Sequence, residues 1–431
     1  MTSTATAVGA PTGLPRVVPV PITTHAEHLR RFGVLPTLGK RASRQRFIDD
    51  IQRSGLRGRG GAGFPTGRKL RAVAEGRRGA IVVANGAEGE PASRKDAALL
   101  AVAPHLVLDG AILAADAVHA SDMYVVVDRG DQAGYTAMQR AIGERATADA
   151  RHVQLIDVPS RYVAGEESAV VHVLNGGEAK PVFVPPRPYE RGVRGRPTLV
   201  QNVETLANLA LIGRFGVEWF RSLGTTDEPG SVLATVSGGV AAPGVYEFAL
   251  GAPMTSVLDG AGGVTEEISA VLVGGYFGSW IPASTLGRLT LTHASLRGAG
   301  GALGCGVVVA LPASRCGVVE TARVVSYLAQ ETAGQCGPCV HGLSAVAGQV
   351  SAIASGRSVA GAHEAVVRWL GQIEHRGACR LPDAAVGLAR SALRIFADEF
   401  ALHEEHGVCT ALDHRPVLPL PEGTTRDWSW R

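Results

Sequence analysis

The sequence Ser54-Gly-Leu-Arg-Gly-Arg-Gly-Gly-Ala-Gly-Phe-Pro-Thr-Gly67 is too rich in glycine to form a regular helix or strand. Its glycines allow several backbone N–H groups to point toward one ligand, and we expect a helix to begin directly after it, near Arg68. Such a cluster of amides before a helix attracts phosphate, and the neighbouring Arg57 and Lys69 add positive charge. No strand precedes the stretch and no Gly-Lys-Ser/Thr sequence ends it, so it is neither a dinucleotide-binding fingerprint nor a Walker loop. The residues alone predict a phosphate or anion site, with a mobile surface loop as the alternative.

The segments around this loop alternate between helices and strands. A helix is expected over 43–53, and short apolar strands separated by helices are expected over 81–84, 124–127 and 153–158. This alternation predicts an α/β domain with a parallel sheet. Residues 231–292 contain short strands between Gly and Pro turns, which indicates a small β-rich module. After residue 318 the apolar residues recur with helical spacing, which predicts a helical bundle whose last helix spans 384–400.

Composition and charge limit the classes of function. The chain has 431 residues, 45% hydrophobic and 19% charged, enough for two or three domains. The formal net charge of +3 is too small to predict binding of nucleic acid or of an acidic membrane surface. The N-terminus lacks the features of a secretory signal, and the apolar stretch Ala302–Leu311 is far shorter than the about 20 residues of a spanning helix. We expect a soluble cytoplasmic chain without a transmembrane segment of its own, with docking at the inner face of a membrane left open.

Two acidic turns are candidate ligand sites. Asn85-Gly-Ala-Glu-Gly-Glu-Pro91 directly follows a strand, which is where open α/β sheets bind ligands. Ala164-Gly-Glu-Glu-Ser168 opens a helix close to Tyr162, whose hydroxyl or ring face suits a ligand. The segment Pro197–Thr205 adds amides and hydroxyls of the kind that hold the polar edge of a heterocycle. Carboxylates in a first helical turn also serve as plain helix caps, and that alternative stays open.

All six cysteines lie after residue 300. Cys336-Gly-Pro-Cys339 is a Cys-x-x-Cys motif, and Cys379 follows 40 residues later. Without a secretory signal, metal or redox use is favoured over disulfides. A redox pair, a zinc site that recruits His341 or His375, and an iron–sulfur site are all open interpretations. The remaining cysteines are expected to be buried small apolar residues, and they are Cys305, Cys316 and Cys409.

Together these motifs closely resemble the NADH-binding flavoprotein subunit of respiratory complex I, which also occurs in NAD-linked hydrogenases and formate dehydrogenases. The resemblance spans Ser54 to Phe400. The motifs that keep the family's order are the glycine-rich loop, Asn85–Pro91 with Lys95-Asp96, Gly165-Glu-Glu167, Lys180–Pro186, Asn202-Val-Glu-Thr205 and Glu331–Cys339.

The resemblance implies an α/β fold class with a Rossmann-like FMN-binding domain, a small ubiquitin-like β-grasp module and a C-terminal helical bundle that holds one [4Fe–4S] cluster. The expected organisation is a mostly flexible N-terminal segment (1–42), the FMN and nucleotide-binding domain (43–226), the β-grasp module (227–300), the iron–sulfur bundle (301–410) and a tail (411–431).

The resemblance also implies roles for individual residues. The FMN phosphate is expected to contact Gly58, Arg59, Gly61 and Lys69. The flavin and its ribityl chain are expected to contact Asn85, Glu88, Tyr162, Gly165, Glu166, Glu167, Thr198 and Asn202. Glu90 and Glu167 would face the nicotinamide as catalytic residues, and Phe64 would contact the adenosine half. The expected cluster ligands are Cys336, Cys339 and Cys379.

The chain departs from the family pattern at several of these sites. Ala87 stands where the family has an aspartate, which removes one expected hydrogen bond to the flavin. Ala72 and Arg187 replace phenylalanines of the adenine pocket, so weaker NADH binding is expected, while Arg187 offers a partner for the 2′-phosphate of NADPH. Ala333 replaces the first cysteine of the cluster motif. The cluster is then [3Fe–4S], or [4Fe–4S] with a non-cysteine ligand such as His341, or absent.

The predicted function is that of an FMN-dependent NAD(P)H oxidoreductase subunit. Hydride passes from NAD(P)H to FMN, and single electrons pass through one iron–sulfur cluster to a ferredoxin-like or other redox protein, or to a membrane redox complex. Two alternatives stay open: an FMN electron-relay flavoprotein that takes no pyridine nucleotide, and a structural or assembly subunit. Nothing in the sequence indicates nucleic acid as a partner.

Overall fold

The computed structural model describes residues 13–17, 21–76, 79–145, 152–411, 415–421 and 429–431. Within them the chain forms a four-stranded parallel sheet with helices, a five-stranded mixed sheet and a bundle of helices. The rest of the predicted flexible segment and tail, at 1–12, 18–20, 412–414 and 422–428, lies outside the described residues.

The first sheet confirms the predicted α/β layer. Its parallel strands are β1 (Ala80–Gly86), β2 (Ala120–Asp128), β3 (His152–Val158) and β4 (Thr198–Asn202), in the order β3-β2-β1-β4. β1 and β2 are almost continuously buried because helices cover both faces of the sheet, which explains their unbroken apolar runs. Strand β4 is absent from the sequence prediction because its polar residues suggested a ligand-binding segment rather than a strand.

Helices flank this sheet on both sides. They are α1 (His25–Phe32), α2 (Arg41–Ser54), α3 (Thr66–Ala74), α4 (Lys95–Val102), α5 (Pro104–Val118), α6 (Gln132–Arg145), α7 (Glu167–Leu174) and α8 (Val203–Arg221). α5 is almost entirely buried, and Pro104 occupies its first turn, where the missing N–H costs nothing. Among the described residues, no single helix is long and apolar enough to cross a membrane, although α4 and α5 meet the test of length and composition when taken together as a pair bent by 97°.

The described part of the N-terminal segment is more ordered than predicted. α1 begins with a capping box, in which Thr24 accepts a hydrogen bond from the Glu27 backbone and donates its own N–H to the Glu27 side chain. Phe32 is buried in the core. His28 Nε2 lies 2.6 Å from Asp109 Oδ2 on α5 in a buried contact. Within the segment expected to be mostly flexible, α1 is thus an ordered helix, because its apolar and paired side chains attach it to α5.

The second sheet confirms the predicted β-grasp module. Its strands are β5 (Ser231–Gly238), β6 (Gly244–Ala249), β7 (Ile268–Val273), β8 (Ser279–Pro282) and β9 (Val307–Pro312), in the order β6-β5-β9-β7-β8. β5 and β9 are parallel and the other neighbours antiparallel, while α9 (Met254–Gly260) and α10 (His293–Gly298) lie between strands in the sequence. Since β9 is the central strand, the module extends past the predicted boundary at residue 300. β9 is buried throughout and shows no alternation that would mark it as a strand.

The last part of the chain is the predicted helical bundle. It contains α11 (Gly317–Gln330), a π-helical turn (Pro338–Leu343), α12 (Ser344–Ala354), α13 (Ala362–Ile373), α14 (Leu381–Ile395) and α15 (Ala397–His406). The single helix expected over 384–400 is two helices, separated at Phe396, whose ring packs edge-on against Trp280 of β8. The Trp280 indole N–H donates a 3.0 Å hydrogen bond to Thr321 of α11, which attaches the bundle to the β-grasp module.

Candidate functional site

The carboxyl ends of β1 and β4 bring two amide side chains together. Asn85 and Asn202 are paired in register on these neighbouring strands. The Asn85 Nδ2 amide donates a 2.9 Å hydrogen bond to the Gly165 carbonyl, and Asn85 Oδ1 accepts one from the Ala87 backbone. A Cβ atom on Gly165 would lie 2.4 Å from the Ala87 carbonyl oxygen, so the two turns can approach this closely only because glycine is present. The two acidic turns thus form one site at the edge where such sheets bind ligands.

The glycine-rich loop lies over the same edge. A Cβ atom on Gly60 would be 3.2 Å from the Cβ of Asn202, and Gly61 has a φ of +105°, a conformation that favours glycine. The Gly58 N–H donates a 2.8 Å hydrogen bond to the Phe64 carbonyl, so Gly58 closes the loop. α3 begins directly after the loop at Thr66. The structure therefore has the predicted combination of a turned backbone and a helix N-terminus, which suits a phosphate.

Lys69, in the first turn of α3, connects this loop to the second acidic turn. Its Nζ lies 2.9 Å from Glu167 Oε2 in a partly buried ion pair. This ion pair fixes the Lys69 ammonium beside the second acidic turn, and its contact with phosphate stays a prediction. Lys69, which was predicted to contact the FMN phosphate, and Glu167, which was predicted to face the nicotinamide, are thus direct neighbours.

Two residues predicted to contact FMN are directed elsewhere. Arg59 is 3% exposed, and its Nη2 donates a 2.8 Å hydrogen bond to the Ser231 carbonyl at the start of β5. Thr198 begins β4, four residues before Asn202 and so about 13 Å from the carboxyl edge at the usual rise of a strand. Its hydroxyl is used within the turn that precedes β4. The Arg59 side chain therefore joins the flavin domain to the β-grasp module, and Thr198 stabilises a turn.

A buried charge network fixes the Asn202 amide. Asn202 Nδ2 donates a 2.6 Å hydrogen bond to Asp96, and Lys95 Nζ lies 2.6 Å from Asp96 and 3.0 Å from Glu204. Burial alone would lower the pKa of Lys95, but the carboxylates around it outweigh burial and raise the pKa of its ammonium. Lys95 is therefore charged, and the Lys-Asp and Asn-Val-Glu-Thr motifs act as one support for the edge of the sheet.

Glu88 and Glu166 act as helix caps in this structure. Helix capping is the alternative that the sequence left open for the carboxylates of the acidic turns. Glu88 accepts hydrogen bonds from the backbone N–H groups of Asp96 and Ala97, each at 3.2 Å, at the start of α4. Burial, with the nearby Asp96 carboxylate, raises the pKa of Glu88 to about 7. Glu166 accepts a 2.8 Å hydrogen bond from the Ser168 backbone at the start of α7. Both side chains hold the turns in position at the site, and their contact with the flavin stays a prediction.

Glu90 contacts three separate parts of the chain. Its Oε2 accepts a 2.6 Å hydrogen bond from the Tyr162 hydroxyl and a 2.7 Å hydrogen bond from the Tyr276 backbone. A Cβ atom on Gly275 would lie 2.6 Å from the same oxygen and 3.1 Å from the sulfur of Cys305. Burial raises the pKa of Glu90 to about 7, so this carboxyl changes charge near neutral pH.

The β-grasp loop after β7 is a part of the site that was not predicted from the sequence. A sequence feature that could have indicated it is the run Gly274-Gly275-Tyr276-Phe277-Gly278, which follows a strand as the first acidic turn does. The Phe277 ring lies 4.8 Å from the Tyr162 ring. Cys305 was expected to be a small apolar residue, but its thiol lies beside Glu90, and burial together with that carboxylate raises the pKa of Cys305. It is therefore a neutral thiol in the wall of the site.

The three predicted cluster cysteines are brought together beside this site. The Cys339 thiol is hydrogen bonded to Cys336 at the π-helical turn, and Cys379, just before α14, lies within electrostatic range of Cys336. The charge of Glu166 also acts on the Cys379 thiol. His341, the proposed fourth ligand, is exposed on the π-helical turn. One of the three thiols, that of Cys379, is therefore within electrostatic range of the second acidic turn.

The residues predicted for the adenosine half are exposed or line a cleft. Phe64 is 54% exposed at the glycine-rich loop. Ala72 on α3 lines a cleft of about 900 Å³ with Tyr189, Arg191 and Arg194. Arg187 is exposed and is not among the residues that line the cleft. The charged side chains that line the cleft are two arginines and the two carboxylates of Glu75 and Glu190.

Comparison with known proteins gives the same organisation. Residues 51–211 match the Nuo51 FMN-binding domain, residues 233–274 match the SLBB domain, and residues 320–403 match the NADH-ubiquinone oxidoreductase-F iron-sulfur binding region. The F subunit of the NADH-quinone oxidoreductase of Mycobacterium bovis is 32% identical over 404 residues, which cover 87% of this chain and 88% of that protein. The chain belongs to the family of NADH-quinone oxidoreductase F subunits.

Other relatives agree with this assignment. The F 2 subunit of the NADH-quinone oxidoreductase of Rhizobium meliloti is 32% identical over 383 residues, which cover 84% of this chain and 90% of that protein. A chain in the crystal structure of an NAD+-reducing [NiFe]-hydrogenase in the air-oxidized state matches with a TM-score of 0.77 and 30% identity. The match covers 89% of this chain but only 66% of that longer chain.

The residues present fit the FMN and the iron–sulfur cluster of this family to different degrees. For FMN, the glycine-rich loop and Lys69 suit a phosphate, and the amides of Asn85 and Asn202 suit the polar edge of a ring. Gly60 has no side chain that would crowd Asn202. For the cluster, the predicted ligand set has three thiols where four are usual, since Ala333 has no donor. The flavin site is therefore nearly complete, and the cluster site lacks one cysteine.

Proposed function

We propose that the chain is the NADH-oxidising flavoprotein subunit of a redox complex. It accepts a hydride from NADH at its FMN site and passes electrons one at a time through one iron–sulfur cluster to a partner subunit. FMN, when bound, supplies the exchange between a two-electron donor and one-electron acceptors. The observation that supports this proposal is the convergence of the glycine-rich loop and the two acidic turns at one edge of the parallel sheet, with the Cys379 thiol within electrostatic range of Glu166.

The residues at this edge have separate proposed roles. Lys69 and the loop hold the phosphate, because a cation and turned amides form charge-assisted hydrogen bonds to it. Asn85 and Asn202 orient the polar edge of the ring, since both amides are fixed by their own hydrogen bonds. Glu90 and Glu167 lie next to the nicotinamide, where a carboxyl that titrates near neutrality selects between the charged and the neutral form of that ring.

The proposed partner is another redox subunit. The relatives are named as subunits of NADH-quinone oxidoreductase, and the structural match is a chain of an NAD+-reducing hydrogenase. We propose a ferredoxin-like carrier as the acceptor and a cytoplasmic location, peripheral to the inner face of the membrane if the complex is a membrane complex.

The test is anaerobic purification of the full chain, followed by measurement of its FMN, iron and sulfide content and stopped-flow mixing with NADH. We expect bound FMN whose absorbance bleaches with NADH, followed by a change in the iron–sulfur spectrum. Flavin that neither NADH nor NADPH bleaches would overturn the proposal in favour of an electron-relay flavoprotein. Protein without flavin or iron, even after reconstitution, would favour a structural subunit.

The cleft at Ala72 favours a second candidate, NADPH as the electron donor. Arg191 and Arg194 line it, beside the carboxylates of Glu75 and Glu190, and offer guanidinium groups to a 2′-phosphate, whereas Arg187 does not line it. If NADPH is the donor, R191A and R194A raise the KM for NADPH far more than that for NADH, and R187A serves as the matched control. A clear preference of the unmodified chain for NADH would eliminate this candidate.

A further inference from the structure

A second cluster of metal-binding side chains lies away from the three predicted cluster cysteines. Cys316, His403 and Cys409 place one ligand atom each within 4.8 Å of one another. Cys316 Sγ lies 3.2 Å from His403 Nε2, and the Cys316 thiol is also hydrogen bonded to Cys409. Cys316 and His403 are each 3% exposed. Cys316 and Cys409 lie outside the range that matches the iron–sulfur binding region, so this group is separate from that motif.

The fold brings these residues together from three places. Cys316 is the N-cap of α11, and its sulfur accepts the Val319 N–H at 3.3 Å. His403 lies in the last turn of α15, and Cys409 follows the glycine, Gly407, that ends this helix in a left-handed conformation. The arrangement therefore connects the first helix of the bundle to the end of its last helix.

The distances suit a single tetrahedral ion. With Zn–S bonds of about 2.3 Å and Zn–N bonds of about 2.0–2.1 Å, tetrahedral geometry places neighbouring sulfur and nitrogen ligands roughly 3.5 Å apart. The observed group is that compact. Two thiolates and an imidazole favour zinc over magnesium or calcium, and their charge neutralises a divalent ion in a buried place. The Glu399 carboxylate is hydrogen bonded to Cys316 and accepts the Gly317 N–H at 2.8 Å, so it holds the Cys316 end of the group in place.

We propose that Cys316, His403 and Cys409 form a structural zinc site that fixes the end of the helical bundle. Zinc binding deprotonates the two thiols and releases their protons, with no change in oxidation state. The site is independent of the FMN and of the iron–sulfur cluster.

The segment after Cys409 gives the site a structural purpose. The backbone N–H of Leu418 donates a 2.7 Å hydrogen bond to Glu320 of α11. The Tyr276 hydroxyl, on the β-grasp loop that contacts Glu90, donates to the Pro419 carbonyl. Farther on, the Arg161 guanidinium lies 4.0 Å from the Trp430 ring. A metal at Cys409 therefore anchors the chain just before residues 415–421 and 429–431, which contact the bundle and residues that adjoin the flavin site.

The experiment measures zinc, iron and FMN in the full chain, expressed with both metals and purified under anaerobic conditions. We expect one zinc per chain. C316S, H403A and C409S should lose zinc and keep iron and FMN, whereas the matched control C336S should lose iron and keep zinc. Limited proteolysis should remove the C-terminal segment several-fold faster from C409S than from the unmodified chain.

Titration of the unmodified, zinc-depleted chain with Co2+ keeps the test valid if a variant fails to fold. A thiolate-to-cobalt charge-transfer band that added zinc abolishes supports the proposal. Three results would overturn it: reduced protein that takes up neither ion, a Cys316–Cys409 disulfide in anaerobically purified protein, or loss of iron rather than zinc in C316S.

Discussion

The hydroxyl of Tyr162 donates a 2.6 Å hydrogen bond to the carboxylate of Glu90. The same carboxylate oxygen accepts the N–H of Tyr276, so one side chain connects the flavin domain with the β-grasp module. Burial disfavours the charged form of Glu90 and raises its pKa to about 7, while both hydrogen bonds act in the opposite direction. The site therefore contains a carboxyl that changes charge near neutral pH, beside the proposed place of the nicotinamide.

The first prediction concerns the pH dependence of nucleotide binding. Below its pKa of about 7 Glu90 is neutral, and above it Glu90 is negative. The oxidised nicotinamide ring is positive and the reduced ring is neutral, so NAD+ should gain affinity relative to NADH as the pH rises through 7. An attraction of about 1 kcal/mol or more corresponds to roughly a five-fold change. The ratio of the NAD+ inhibition constant to the NADH KM measures it, and E90Q should flatten the profile.

The second prediction concerns Y162F. Loss of the Tyr162 hydroxyl removes a hydrogen bond to the charged form of Glu90, so the pKa of Glu90 should rise by about one unit. The midpoint of the nucleotide profile should move to higher pH by the same amount while the FMN content stays unchanged. Y276F is the matched control, because it removes a hydroxyl but keeps the backbone N–H that Glu90 accepts. Equal midpoints in Y162F and Y276F would contradict the claim that the Tyr162 hydroxyl stabilises the charged form of Glu90.

Much of the fold and the position of the site follow from the sequence. The helices and the outer parts of both sheets have clear periodicity, and the glycine-rich loop and Asn85 follow directly from local sequence. Strand β9 cannot be predicted from the sequence in this way, because a strand buried on both faces shows no alternation of apolar and polar residues. The prediction of a single helix at the end of the bundle is also wrong, because the break at Phe396 depends on packing against Trp280.

The directions of individual side chains at the site are also set by distant contacts. Arg59 lies in the loop that suggested a phosphate contact, but its guanidinium direction is set by Ser231, which is 172 positions away. The Glu88 carboxylate caps α4, which the sequence left open as an alternative, and its contact with the flavin stays a prediction. The position of Cys305 at the site could not be predicted from the sequence, because only the β-grasp fold places it beside Glu90. Local sequence predicted which turns form the site, whereas distant contacts decide where individual side chains point.

The third prediction tests the phosphate contact. K69A should weaken FMN binding about 10- to 100-fold, because a charge-assisted hydrogen bond contributes roughly 1.5–3 kcal/mol. Fluorescence titration of the apoprotein with FMN measures the Kd. The control is K40A, since Lys40 is an exposed lysine at the start of α2, outside the site. Similar affinities in K69A and K40A would exclude Lys69 as a phosphate ligand.

The fourth prediction concerns the approach of the two acidic turns. G165A adds a Cβ atom 2.4 Å from the Ala87 carbonyl oxygen, so the turns must separate and the Asn85 hydrogen bond to residue 165 must lengthen. We expect most of the FMN to be lost during purification and the melting temperature to fall. G143A is the matched control, because no atom lies within 4 Å of its new Cβ and alanine in a helix stabilises by about 0.5–1 kcal/mol. If G165A retains FMN as well as G143A does, the two turns do not enclose the flavin.

The last prediction concerns the missing cysteine. Ala333 lies three residues before Cys336, at the position where the family motif has its first thiolate. A333C restores four thiolates, the usual ligand set of a [4Fe–4S] cluster, so reconstituted protein should bind more iron and keep it longer in air. Electron paramagnetic resonance of the oxidised protein should show less of any three-iron signal than the unmodified chain shows. A333S, which adds a hydroxyl of similar size, should leave the iron content unchanged. If A333C and A333S behave alike, residue 333 does not reach the cluster, and a side chain elsewhere supplies the fourth ligand.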